Sequence, residues 1–342
     1  MALDADDWQR LMVLAASRHR VLPVVMPCLS PARPGPLQAG LPEALAWKMA
    51  LQNTQNTAQV LIGISETQRL IARFGEAGMT PLVFKGWPLS EDLYGTPNAR
   101  HMGDIDVMIP PDRISESFEI VAGMGYRPTP SHAGMARLAG SRALADEGKD
   151  VRFHNAERDT AIEIHWRLYP FHGWPDPLAL PEAEAVQQTQ IGPLSVLSDQ
   201  ANMLYLSVHG TLHLWTRLKW LADIACLAHR RGPDQLAEDY ALARSLGIGI
   251  SVALGLRLSA RLLGSPLPGV LAGRMPELDW AERWMLDVMN RDDTMPGVTR
   301  RYRLWARLMA FRLAADLPQT LGVMRYDTVR RVRLALARMT TA

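Results

Sequence analysis

Two aspartates separated by one residue are the most chemically suggestive feature of the sequence. Asp104 and Asp106 flank Ile105 at the start of an apolar run that ends before Pro110. If that run is a strand, both carboxylates point to the same face. Such neighbours repel one another unless a cation lies between them, and Mg²⁺ binds a few carboxylates together with water or phosphate oxygens. The pair therefore indicates either a divalent-metal site or two solvated acids at a strand end.

A third acid lies inside a second apolar run. Glu163 stands between Ile162 and Ile164, where an acid must face solvent, a polar partner or a metal. If its strand neighbours the strand of Asp106, three carboxylates can hold two metal ions about 4 Å apart and clamp the oxygens of a phosphoryl transfer. His165 shares the face of Glu163. Either it supports the metal-binding carboxylates through a hydrogen bond, or it is a histidine whose hydrogen bonds are satisfied elsewhere.

A lysine–glycine turn precedes the aspartates. Lys85 and Gly86 end the short apolar run PLVF and open the segment WPLSEDLY, which predicts a short helix. A glycine lets the backbone approach a phosphate, and a helix N-terminus offers free N–H groups with a positive partial charge. Lys85 adds a point charge. The turn is therefore a candidate phosphate-binding element.

These residues lie in a stretch of mixed strand and helix character between helical regions. Asp112 is a candidate N-cap for the helix after the Asp106 strand. Two of the predicted strands form a hairpin through the turn-like residues AERD. The predicted strands are 81–84, 105–109, 150–155 and 160–166. The predicted helices are 5–26, one or two helices over 43–77, and then 198–232, 234–246, 249–263, 277–290 and 300–340, the last divided by Pro318.

Composition bounds the class of protein. The 342 residues suffice for a substantial core, and a net charge of +2 gives no global field that would attract nucleic acid or a membrane. Cys28 and Cys226 are the two cysteines, so a disulfide framework is not expected. No run reaches the roughly 20 apolar residues of a membrane helix, and the acidic N-terminus does not look like a signal peptide. We expect a cytoplasmic protein without a membrane partner.

The run LVFKGWPLSEDLYGTPNARHMGDIDVMI resembles the signature of uncharacterised bacterial nucleotidyltransferases of the polymerase-β superfamily, which are similar to abortive-infection nucleotidyltransferases. The later AIEIHWRL resembles the strand with the third carboxylate, and HGTLHLWTRLKWLADIA resembles a helical segment that faces the cleft. The matching residues are Lys85, Gly86, Tyr94, Arg100, Asp104, Asp106, Glu163, Arg217 and Lys219. One departure is Trp87, where many members have a small residue or serine, so a serine contact to phosphate is not expected.

The resemblance implies an α+β fold: a polymerase-β-like nucleotidyltransferase core with a short mixed sheet at 79–195, an N-terminal helical region at 1–78 and a C-terminal helical domain at 196–342. It implies transfer of a nucleoside monophosphate from an NTP, ATP included, with Mg²⁺ or Mn²⁺ as cofactor. Asp104, Asp106 and Glu163 would bind metal and catalyse the reaction. The acceptor is open among a small molecule, a peptide, a protein and tRNA, and so are the base preference and the oligomeric state.

The residues expected to contact the nucleotide are Lys85, Gly86, Arg100, Arg217 and Lys219. Alternative interpretations of these basic residues stay open. Arg100 and His101 contact phosphate or acceptor, or they lie in a solvated loop. Lys219 contacts phosphate or pairs with Asp223 one helical turn away.

The sequence also offers three alternative interpretations. A glycosyltransferase also uses two spaced aspartates, but strand–helix units should precede them, and here mainly helices and prolines do. A non-catalytic scaffold would keep the fold and bind a partner. His209 and His213 do not match a zincin, since Gly210 occupies the position that needs a glutamate. Trp215 and Trp220 are expected in the core, and the arginine-rich C-terminal helix favours a solvated face over a site for RNA or an acidic partner.

Overall fold

The computed structural model of the protein describes residues 4–29, 41–140, 144, 148–169 and 176–290. Seven strands within these residues form one sheet, in the order β3-β4-β5-β2-β1-β7-β6. The strands are β1 (Leu82–Phe84), β2 (Ile105–Met108), β3 (Arg127–Pro128), β4 (Asp150–Asn155), β5 (Thr160–His165), β6 (Glu184–Thr189) and β7 (Gly192–Leu197).

The sheet is mixed. β2 lies antiparallel to β1 and parallel to β5, and β4 and β5 form the predicted hairpin. The α+β fold class with a short mixed sheet is therefore confirmed. The hairpin of β6 and β7 at the sheet edge is not among the predicted strands. β6 reads EAVQQT, and its residue Val186 is 68% exposed, so it lacks the apolar alternation that marks a half-buried strand.

Helices account for most of the remaining described chain. The α-helices are α1 (Ala5–Val13), α2 (Leu22–Val25), α3 (Glu43–Glu76), α4 (Gly86–Tyr94), α5 (Ile114–Gly123), α6 (Ala133–Ala136), α7 (Asp199–Leu212), α8 (Leu218–Ser245), α9 (Gly249–Leu263), α10 (Gly269–Ala272) and α11 (Pro276–Asn290). A π-helical turn, Leu14–Arg18, follows α1, so the predicted helix over 5–26 is divided. The predicted cap at Asp112 is wrong, because a 3₁₀ turn over Pro111–Arg113 makes Arg113 the N-cap of α5.

Apolar side chains cover both faces of the sheet. Alternation along β1 sends Val83 towards a core shared with α3 and α5, and sends Leu82 and Phe84 towards the helices from α7 onwards. Along β2, Ile105 and Val107 join the first core. Asp106 therefore points to the opposite face, where the C-terminal helices pack. The sheet thus lies between two helical layers, and its acidic positions face the C-terminal layer.

The predicted helix over 198–232 is interrupted. Ser198 caps α7 as its predicted start. The chain then leaves the helix after Leu212, with Leu214 and Trp215 at positive φ of 55° and 49°. Trp215 is fully buried and donates its indole N–H to Thr211 Oγ1 at 3.2 Å. A buried indole folded back against its own helix therefore ends α7, and the chain re-enters a helix at α8.

We predict that Gly210→Ala lowers the free energy of unfolding by about 1–3 kcal/mol, the usual cost of overpacking a core. A Cβ at Gly210 would lie 2.4 Å from the Trp215 ring, which cannot move because it is fully buried. Urea denaturation measures the change. Gly123→Ala is the control, since nothing lies within 4 Å of its Cβ position. Equal stabilities for the two variants would contradict the prediction.

Cys28 and Cys226 are free thiols. No helix in the described ranges is long and apolar enough to cross a membrane. The arginine-rich helix predicted over 300–340 and its division at Pro318 lie outside the described residues. The division into 1–78, 79–195 and 196–342 stays a prediction.

Candidate active site

Strand register brings two of the three predicted acids together. β2 and β5 are adjacent and parallel, and Asp106 lies directly opposite Glu163. Directly opposed residues on neighbouring strands point to the same face, here the face covered by the C-terminal helices. The strand of Glu163 is therefore a neighbour of the strand of Asp106, which was the condition for Glu163 to join the aspartates.

His165 lies between these carboxylates. Its Nε2 is 3.0 Å from Asp106 Oδ1 and 3.4 Å from a Glu163 oxygen. One ligand atom from each of the three residues lies within 4.8 Å of the others. The oxygens suit Mg²⁺ or Mn²⁺, and an imidazole nitrogen adds a donor that Mn²⁺ tolerates better. The arrangement fits a divalent cation, and His165 is one of the three residues that could bind it.

Asp104 lies beside this cluster. Its carboxylate accepts a hydrogen bond from Arg152 at 3.0 Å, and the same guanidinium reaches Glu163 at 3.3 Å. Arg152 and Asp150 are not among the predicted site residues. The alternation of side chains along the predicted hairpin could have placed them on the same face as Glu163. On β4 these two residues lie opposite Glu163 and His165, so they share the acidic face.

The two aspartates differ in their electrostatics. Burial and the charges of Asp106 and Glu163 raise the pKa of Asp104 to about 6. Burial also acts to raise the pKa of Asp106, but Lys85 and His165 outweigh it and hold that pKa well below its usual value. The pKa of Glu163 is lowered, because the hydrogen bond from His165 offsets the effect of burial. Asp106 and Glu163 are thus ionised at neutral pH, and Asp104 is the carboxylate of this cluster that takes up a proton first as the pH falls.

The lysine of the predicted phosphate turn points into the acidic cluster. Lys85 Nζ donates to Asp106 Oδ1 at 2.8 Å and lies 4.9 Å from the centre of the Phe84 ring. Its backbone has a φ of +58°, followed by Gly86 at +52°. A non-glycine residue with such a positive φ is strained. Lys85 has this conformation at the point where its ammonium binds the buried carboxylate of Asp106.

Trp87 follows the turn and is a core residue. It is 1% exposed, and its indole N–H donates to Thr67 Oγ1 on α3 at 3.0 Å. The residue that departs from the family pattern therefore anchors α4 to α3 and leaves the backbone at the start of α4 as the contact surface of the turn.

Arg100 is bound to a buried carboxylate. Its Nε donates to Asp223 Oδ2 at 3.0 Å, and the hydroxyl of Tyr94 donates to the same carboxylate at 2.9 Å. Asp223 is fully buried, and in the described chain it forms no ion pair with Lys219. The structure thus joins α4, the loop before β2 and α8 through one carboxylate.

The histidines of α7 form a ring cluster beside the site. The rings of His209 and His213 lie 4.5 Å apart, and His213 lies 5.2 Å from Trp220. Neither belongs to a metal-ligating group in the part of the chain that the structure describes, where Asp106, Glu163 and His165 form that group. Trp215 and Trp220 are both buried, as expected.

A family model described as an uncharacterised nucleotidyltransferase matches residues 4–264. No curated protein and no solved structure matches the chain. The matched region includes the whole sheet, the acidic cluster and helices up to the end of α9.

Proposed function

The chain belongs to this family of uncharacterised nucleotidyltransferases, and from that premise we propose that it transfers a nucleoside monophosphate from an NTP to an acceptor nucleophile and releases pyrophosphate. The observation that carries the proposal is the opposition of Asp106 and Glu163 on adjacent parallel strands, with His165 between them. A glycosyltransferase is disfavoured by the family assignment and by the helices that precede β1.

Divalent ions, Mg²⁺ or Mn²⁺, would be held by Asp106 and Glu163, with Asp104 as the further carboxylate. Bound there, they supply charge neutralisation at the phosphate oxygens during in-line transfer. Glu163 also accepts the proton of the nucleophile in this proposal, and its lowered pKa keeps the carboxylate ionised and so able to accept. His165 holds the two carboxylates at a fixed separation. Positioning and electrostatics would then provide most of the rate enhancement.

The phosphate contacts come from basic residues around the cleft. Arg217 and Lys219, at the start of α8, are the proposed contacts, together with the backbone at Gly86. Lys85 and Arg100 each bind a carboxylate through one nitrogen, Asp106 and Asp223 respectively, and their other N–H groups are further proposed contacts to phosphate. The acceptor, whether a small molecule, a peptide, a protein or tRNA, approaches from the side of Glu163 in this proposal.

Calorimetric titration with ATP, GTP, CTP and UTP, with and without Mg²⁺, tests the proposal. We expect the wild-type protein to bind at least one NTP only when Mg²⁺ is present, and chelation to abolish the binding. The double variant Asp104→Asn/Asp106→Asn and the single variant Glu163→Gln should lose that binding. Asp112→Asn, an exposed acid outside the cleft, is the control and should bind as the wild type does.

A folded wild-type protein that binds no NTP would refute the transferase proposal. Binding that is independent of metal and unaffected in the acidic variants would favour the non-catalytic scaffold instead. Circular dichroism of each variant separates lost binding from lost folding, which is required because Asp106 is buried.

A further inference from the structure

The segment after the π-helical turn reaches the start of α8. The backbone N–H of Lys219 donates to His19 O at 3.3 Å, and the N–H of Leu218 donates to His19 Nδ1 at 3.4 Å. Arg18 fixes the same segment through a hydrogen bond from Nη2 to Val288 O at 2.9 Å. These contacts set Arg20, the next residue, beside the first turn of α8.

The loop before β2 approaches the same place. Its Arg100 is held by Asp223, one helical turn beyond Lys219, so His101 lies against this end of α8. The Nδ1 atom of His101 is buried and has no hydrogen-bond partner within the described chain. Burial, followed by the charges of Arg20, Lys219 and Arg217, lowers the pKa of His101 to about 3. Three segments distant in sequence therefore bring basic groups together at the start of α8, and we call this group the basic wall.

Most other cations around the cleft have a carboxylate partner. These engaged pairs are Lys85 with Asp106, Arg100 with Asp223, Arg152 with Asp104 and Glu163, and Lys149 with Asp150. In contrast, neither Arg20 nor Lys219 forms an ion pair or a side-chain hydrogen bond with any described residue. Both are half-buried, and Arg20 has a positive φ of 54°. Two neighbouring cations without a counter-ion repel one another, and a bound anion removes that cost.

The wall faces the acids. His101 of the wall lies on the loop that leads directly into Asp104, and the charge of Asp104 acts to raise the pKa of Arg20 against the larger, lowering effect of burial. An anion that spans both sides must offer oxygens to a metal ion and further negative charge to Arg20 and Lys219. A polyphosphate chain has both features, whereas a monophosphate has too few phosphate groups to span the two sides.

We propose that Arg20, together with Lys219 and the imidazole of His101, forms a binding wall for the polyphosphate of the nucleotide, so that the N-terminal segment is part of the active site. The identity of the ligand rests on the proposed function, but the anion site itself does not. Arg20 binds the phosphates distant from the transferred group. His101, which is neutral at pH 7, adds a hydrogen bond through its buried Nδ1.

Calorimetry with inorganic tripolyphosphate, ATP and AMP tests this wall. Tripolyphosphate is titrated without Mg²⁺, so that the result is independent of the metal site. We expect Arg20→Gln to weaken tripolyphosphate and Mg²⁺–ATP binding by about 10- to 100-fold, the loss of one charge-assisted contact. AMP binding should change by less than about 3-fold, since AMP has no phosphate chain to reach the wall. Arg20→Lys should recover part of the affinity, and Lys219→Gln should repeat the effect of Arg20→Gln.

Arg73→Gln is the matched control, because Arg73 is half-exposed on α3 and pairs only with exposed Glu76 in the described chain. The wall is refuted if Arg20→Gln binds tripolyphosphate and Mg²⁺–ATP as the control does. In that outcome, a loss of Mg²⁺–ATP binding in Asp104→Asn/Asp106→Asn would still support the proposed function. Conversely, tripolyphosphate binding that depends on Arg20, in a protein that binds no NTP, would support the wall and refute the transferase.

Discussion

Asp106→Asn is expected to lower the free energy of unfolding of the metal-free protein by about 3–5 kcal/mol and to weaken Mn²⁺ binding at least about 100-fold. Asp106 is 3% exposed and accepts from Lys85 at 2.8 Å. The variant leaves the buried ammonium without its main counter-charge, which is the costly way to break a buried ion pair. Loss of a residue that only supports a metal ligand costs 10- to 100-fold in affinity, so loss of a ligand should cost at least the upper value.

Asp104→Asn is expected to behave differently, although it is the same substitution in the same motif. The raised pKa of Asp104 means that its ionised form is disfavoured in the metal-free protein. A folded-state pKa of about 6, above the unfolded value of 3.8, gives stability that is present at low pH and lost as pH rises through 6. Removing the charge should therefore stabilise the metal-free protein at pH 7.5, while Mn²⁺ binding still weakens.

Urea denaturation without metal measures the stabilities, and electron paramagnetic resonance of free Mn²⁺ measures the affinities. Asp112→Asn serves as the control for both measurements. Equal loss of stability in Asp104→Asn and Asp106→Asn would contradict the opposite electrostatic environments of the two acids. Unchanged Mn²⁺ affinity in a folded Asp106→Asn protein would remove Asp106 from the metal site.

Arg100→Met is expected to lower the free energy of unfolding by about 3–5 kcal/mol, because it leaves the carboxylate of Asp223 buried without its cation. Asp223 is fully buried and Arg100 is 5% exposed. Tyr94→Phe removes one hydrogen bond to the same carboxylate and should cost only about 1 kcal/mol. Urea denaturation of both variants tests this difference.

The double variant Arg100→Met/Asp223→Asn is the informative companion. With both charges removed, we expect it to regain part of the stability lost in Arg100→Met. Arg73→Met, which breaks an exposed pair, should change stability by less than about 0.5 kcal/mol. If Arg100→Met is as stable as the wild type but binds Mg²⁺–ATP less tightly, Arg100 is a nucleotide contact and the structural role is excluded.

Local sequence features were sufficient to predict several parts of this protein. The apolar run after Asp104 predicted the strand that carries Asp106, and the hairpin that carries Glu163 followed from two apolar runs around a turn. Helices were also predicted where α3 and α9 lie, over 43–77 as one or two helices and over 249–263 as one. These features depend on residues close in sequence, so the chain itself carries them.

Contacts between distant segments were decided by the tertiary structure. Parallel pairing of β2 with β5 set Asp106 opposite Glu163, and the packing of His19 on α8 set Arg20 beside Lys219. The interruption after α7 depends on Trp215 folding back onto Gly210.

The spacing of residues in the sequence likewise could not predict which cation pairs with which carboxylate. The sequence by itself thus determined the types of residue available for chemistry and the local elements that carry them. Only the tertiary structure decided their partners, because the pairing of charges depends on burial and on strand and helix packing across long chain separations.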